Sequence, residues 1–129
     1  MDREQYNKIT GIVIGAAIEV HRELGPGLLE SVYEACLTEE LASRGLKVKN
    51  QVFLPILYKE KALGKNFKID LLIEDEVIVE LKSVEKLLDV HEIQLVTYLR
   101  LANKKLGLLI NFNVPVLTKG VRRRINGIL

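Results

Sequence analysis

The chain has 129 residues, close to the roughly 150 of an average domain, so it can bury one core without disulfide or metal staples and is no multidomain machine. Hydrophobic residues make up 48% and charged residues 28%, a balance that excludes disordered and fibrous classes. Lys and Arg number 19 against 17 Asp and Glu, and a net charge of +2 draws the chain as a whole neither to nucleic acid nor to a membrane.

Ile9, Ile12, Val13, Ala16, Ala17 and Val20 recur at helical spacing, one stripe of a helix expected over residues 3–23, with Asp2 and Gln5 spaced as a capping box at its start. Its apolar run, residues 12–18, is too short to cross a bilayer and follows no basic n-region or cleavage site, so neither export signal nor membrane span is expected. Gly11 and Gly15 are expected to allow close helix packing. Gly25-Pro26-Gly27 ends the helix; it follows a helix and lacks Gly-Lys-Ser/Thr, so it is a helix-helix turn rather than a phosphate loop. A second helix is expected over residues 29–44, with Val32, Cys36 and Leu41 toward the core. Cys36 is the one cysteine and His21 and His91 the only histidines, so no disulfide or Cys/His zinc cluster can form, which fits the reducing cytoplasm.

After Gly45 the pattern becomes that of strands: residues 47–58, a turn at Lys59-Glu60-Lys61, and a second strand through Phe67, Ile69, Leu71 and Ile73. Glu74-Asp75-Glu76 is a second turn, and residues 77–82 begin apolar on both faces, as a central strand does. Asp89 and Glu92 are spaced as a capping box for a helix to residue 102. Residues 106–112 form a second apolar strand, parallel to the third across that helix, and residues 121–125 an edge strand. The order ααβββαββ predicts one α/β domain over residues 1–129, a mixed central sheet flanked by helices.

Glu80 and Lys82 share a face at the end of the third strand, and a hairpin turn at residues 74–76 sets Asp70 beside them. Partly buried charges are paired, bind metal or do chemistry. Two readings stand on the residues alone. One is a strand-end ion pair with Asp70 as an edge polar residue. The other is a Mg²⁺ site for phosphodiester hydrolysis, since this hard cation takes one or two carboxylates, keeps waters and meets phosphate oxygens.

The wider pattern resembles the PD-(D/E)XK nuclease superfamily, in particular its small GxxExxY family. Gly27-Leu28-Leu29-Glu30-Ser31-Val32-Tyr33 carries the motif that gives the family its name. Lys68-Ile69-Asp70-Leu71-Leu72 resembles the superfamily's Asp motif, with Ile69 in place of proline, and Val79-Glu80-Leu81-Lys82-Ser83 its E-x-K motif. Residues 91–98, with Gln94 and Tyr98, resemble the Gln-x-x-x-Tyr helix of the RecB-like branch. The resemblance covers residues 9–112 and implies a restriction-endonuclease-like αβββαβ core behind an extra N-terminal helix.

It also implies that Asp70, Glu80 and the Leu81 carbonyl bind Mg²⁺, with Mn²⁺ able to substitute, and that Lys82 orients the attacking water or stabilises the transition state. Glu30 matches the first acidic motif; Gln94 and Tyr98, one turn apart, border the site. Tyr33 is read either as a hydrogen-bond partner of Glu30 or as a core-edge tyrosine, and His91 as a phosphate contact or a solvent-facing residue. From Asn103 onward Lys104, Lys105, Lys119, Arg122, Arg123 and Arg124 meet no acidic residue, a basic flank for a phosphate backbone or a solvated tail. The expectation is a metal-dependent deoxyribonuclease acting alone, as a homodimer or with a larger protein partner. Its rival is a non-catalytic nucleic-acid-binding or protein-interaction module on the same fold.

Overall fold

The computed structural model describes residues 1–129. Helix α1 (Arg3–Leu24) opens with the expected capping box, Gln5 N–H donating to Asp2 Oδ1 and Asp2 N–H to Gln5 Oε1, both at 2.9 Å. Helix α2 spans Glu30–Ser43. Strands β1 (Val48–Tyr58), β2 (Lys61–Ile73) and β3 (Val77–Lys82) follow, then helix α3 (Asp89–Ala102), β4 (Leu106–Asn111), a 3₁₀ turn (Leu117–Gly120) and β5 (Val121–Ile125). Lys59-Glu60 and Glu74-Asp75 close the two hairpins with both residues at positive φ, the sense that matches strand twist.

The five strands lie in sequence order, antiparallel except for the parallel pair β3–β4 that α3 connects. Helices α1 and α2 cover one face, packing on Val79, Leu81, Leu108, Ile110 and Phe112. The other face is covered by α3, whose Leu95 and Leu99 meet Ile78 and Leu109. Gly107 lets it approach: a Cβ there would press on Leu95 and on the Ile78 carbonyl. No helix is long and apolar enough to cross a membrane.

Three expectations need correction. Gly11 is exposed on α1 with open space where a Cβ would sit, so it is no close-packing position, and only Gly15 has a neighbour, the Arg44 side chain. The buried stripe of α2 is Tyr33, Leu37 and Leu41, while Val32 is exposed and Cys36 only half-buried. The ring of Tyr33 stacks on Phe112 at 4.3 Å and sets the rotation of the helix. The Asp89–Glu92 capping box is absent, because α3 starts one residue earlier than that box requires. Leu88 is the N-cap, its N–H donates to His91 Nδ1 at 3.0 Å, and Glu92 is drawn to Arg124.

Candidate active site

Strands β2 and β3 pair Leu71 with Val79 and Leu72 with Ile78. One step further along the ladder, Asp70 comes beside Glu80. Asp70 Oδ2 accepts the backbone N–H of Leu81 at 2.9 Å, which turns its carboxylate toward the strand end. Glu80 is only 5% exposed, and its Oε1 is the one buried side-chain polar atom without a hydrogen-bond partner. Burial, then the hydrogen bond and charge of Asp70, push the Glu80 carboxyl up to about 9, against the weaker pull of the Lys82 ammonium. Lys82, half-buried at the end of β3, takes part in none of the salt bridges. Tyr98 completes the group from α3: burial raises its phenol, and the Glu80 and Asp70 carboxylates raise it further.

The strand end is held by contacts that sequence reasoning missed. Asn111, buried at the end of β4 and paired in register with Lys82, accepts the Val84 N–H at 3.1 Å and donates to the Val84 carbonyl at 2.9 Å. An asparagine closing a wholly apolar strand was the available signal. Ser83 Oγ donates to the Leu28 carbonyl at 2.6 Å, tying the segment after Lys82 to the turn before α2. Tyr33 does not bond Glu30. Its hydroxyl donates to the Gly25 carbonyl at 2.6 Å and accepts the Leu28 N–H at 3.1 Å, bracing a turn in which Gly27 has φ +93. Glu30 therefore stands exposed on the first turn of α2, two residues beyond the Leu28 anchor.

The other expected residues are more dispersed. Gln94 is exposed on α3, and His91 spends Nδ1 on the helix cap. The basic flank is not free of acid in space: Glu92 pairs with Arg124 and lies 3.8 Å from Arg122. Arg123 donates to Asn7 Oδ1 at 2.7 Å and Lys104 to the Asp75 carbonyl at 2.7 Å, while Lys105 is exposed. None of the five surface cavities is lined by Asp70, Glu80 or Lys82; one is lined by Ser83 and the turn residues Gly27 and Leu28.

No cluster of three His, Cys, Asp or Glu side chains could hold an ion. The Asp70–Glu80 pair still suits a small hard cation, which takes one or two carboxylates and keeps its waters. A buried carboxylate with an orphaned oxygen, held protonated by burial and a like-charged neighbour, is satisfied when a cation displaces its proton. A family model described as the PD-(D/E)XK nuclease superfamily matches residues 7–124, and the mixed sheet flanked by helices is consistent with its restriction-endonuclease-like fold. No curated protein and no solved structure matches the chain.

Proposed function

The chain belongs to the PD-(D/E)XK nuclease superfamily, and we propose on that premise that it hydrolyses phosphodiester bonds in DNA with a divalent metal ion, Mg²⁺ or in its place Mn²⁺. The observation that carries the reading is the buried Glu80 carboxyl beside Asp70, with one oxygen unpartnered and Lys82 two residues on. Asp70, Glu80 and the Leu81 carbonyl hold the ion, which when bound supplies Lewis acidity toward a phosphate oxygen and makes water more acidic. The Lys82 ammonium orients the attacking water or stabilises charge that develops on the phosphoryl oxygens. The motif resemblance assigns Glu30, on the helix after the turn that Ser83 anchors, and Gln94, exposed on α3, to the same site, and Tyr98 borders the pair from α3. His91 through its free Nε2, and Lys104, Lys105, Arg122, Arg123 and Arg124, are the further phosphate contacts.

One domain over residues 1–129 carries this activity. The Gly27–Tyr33 motif supports placement in the GxxExxY family, and the Gln94–Tyr98 pair supports the RecB-like branch. The test is cleavage of linear, circular and single-stranded DNA with Mg²⁺, with Mn²⁺ and with EDTA, using Lys82→Ala as control. Metal-dependent cutting that Lys82→Ala abolishes supports the reading. Binding that resists EDTA with no cleavage of any polynucleotide would instead assign a non-catalytic module.

A further inference from the structure

Strands β1 and β2 run on beyond the body of the sheet, and every residue from position 55 to 66 is exposed. At strand rise this is a two-stranded arm about 20 Å long. Between Pro55 and Leu57 the pairing slips register, and Gly64 in the facing strand has φ +74, a bulge that adds twist. The arm carries Lys59, Lys61 and Lys65, with Lys68 at its root, against the single acid Glu60. None of the four lysines is in a salt bridge. Lys59 lies 5.5 Å from the centre of the exposed Tyr58 ring.

The root of the arm is fixed to the active site. Phe67, 6% exposed, stacks on Tyr98 at 4.8 Å, and Tyr98 lies in the field of Glu80 and Asp70. Asp70 belongs to the same strand as the arm, so Lys65 and Lys61 stand about 17 and about 30 Å along it from that carboxylate. Unpaired ammonium groups spaced outward from a phosphodiesterase centre have the polarity and reach of a phosphate-backbone contact.

We propose that this arm is a clamp for duplex DNA, with the two-stranded ribbon seated in the major groove and its lysines on the flanking phosphates. The inference rests on the nuclease reading and names the substrate class of that site. The B-form major groove, about 12 Å wide, admits a two-stranded ribbon. The deep, narrow major groove of A-form RNA does not. A second copy of the chain fits the arm less well, because proline, lysines and a bulge on an edge ribbon oppose strand addition, and a symmetric pairing would set the lysines against one another.

The test is equilibrium binding of the full chain to a 30-base-pair DNA duplex and to the RNA duplex of the same sequence, in EDTA, across a salt series. The parent is compared with Lys59→Gln/Lys61→Gln/Lys65→Gln and with the corresponding triple Arg variant. On DNA the Gln variant is expected to flatten the slope of log affinity against log salt by about 3, and the Arg variant to restore it. Between 50 and 200 mM salt the parent then loses about 40-fold more affinity than the Gln variant. An unchanged slope, or the same lysine dependence on the RNA duplex, overturns the clamp. So does a dimer that Leu57→Ser/Leu63→Ser dissolves while DNA binding is unaltered. EDTA separates the two ideas: a parent that cleaves with Mg²⁺ but shows no lysine dependence loses only the arm, and one that binds through the arm but never cleaves loses only the catalytic reading.

Discussion

Asp70 is hung from the peptide N–H of Leu81 at 2.9 Å, so the residue between Glu80 and Lys82 positions the carboxylate of the neighbouring strand. This separates structure from charge at Asp70. Asp70→Asn keeps an oxygen for that N–H and removes the charge, whereas Asp70→Ala leaves a part-buried donor unmet at a cost of about 1–3 kcal/mol. Thermal unfolding should place the Asn variant near the parent and the Ala variant below it. Both should lose at least about 100-fold in metal-dependent cleavage, since even outer-shell supports of metal sites cost 10- to 100-fold. An Asn variant that cuts at the parent rate removes Asp70 from the chemistry.

Glu80 makes stability depend on pH in a defined sense. Its carboxyl titrates near 9 when folded against an ordinary value of 4.5, so between these values the folded state holds a proton that the unfolded state has released. In metal-free protein the contribution of this group is therefore fully present below about pH 4.5 and is lost as pH rises to about 9, about 3 kcal/mol of it by pH 7. Glu80→Gln should flatten this dependence and melt higher than the parent at pH 8 without metal. Mg²⁺ should raise the parent's melting temperature more at pH 8 than at pH 6, because it displaces the proton, and should leave Glu80→Gln unmoved. Melting curves at the two pH values, with and without Mg²⁺, read both effects.

The helix and strand boundaries were legible because periodicity and turn chemistry are local. The Ile9 to Val20 stripe, the apolar start of β3 and the acidic turn at residues 74–76 each constrain their own neighbourhood. Convergence of Asp70 and Glu80 was legible for a related reason: a two-stranded register follows once its turn is known. The residues that hold the site were not legible, because their partners are distant in sequence. Ser83 bonds a carbonyl 55 residues away, Asn111 a segment 27 residues away, and the Glu92 that neutralises Arg124 lies 32 residues before it. Whether Glu92 caps its own helix or pairs across to β5 is decided by packing, which no spacing encodes.

Asn111→Leu should therefore damage the site without touching a reacting group. The substitution leaves Val84 N–H, Val84 C=O and Asn113 N–H without their side-chain partner. A loss on the order of 3 kcal/mol follows from several part-buried groups left unmet. The segment after Lys82 should loosen, and amide hydrogen exchange at Val84 should rise together with a fall in cleavage. Unchanged protection at Val84 would show that the β3 backbone holds this segment unaided.

Tyr33→Phe isolates the hydroxyl from the ring. The stack on Phe112 is retained, while the Gly25 carbonyl and Leu28 N–H lose their common partner. A destabilisation of about 1–2 kcal/mol is expected. Tyr33→Ala, which also empties a fully buried aromatic site, should cost about 3–5 kcal/mol. If Glu30 acts from the turn that this hydroxyl braces, Tyr33→Phe lowers cleavage at temperatures where the protein remains folded. Full activity of folded Tyr33→Phe would separate the turn from the chemistry.

Glu92 neutralises two arginines of the basic flank. The carboxylate pairs with Arg124 and lies 3.8 Å from Arg122, in a region where the local sequence shows only positive charge. Glu92→Gln would free both guanidinium groups from a half-buried carboxylate, so a modest loss of stability should accompany the gain in positive charge. If the flank meets the backbone, the variant should bind a DNA duplex more tightly at low salt and steepen the salt slope by about 1 for each arginine that gains a phosphate. An unchanged slope would leave Arg122 and Arg124 as structural partners of α3 and put backbone contact elsewhere on the molecule.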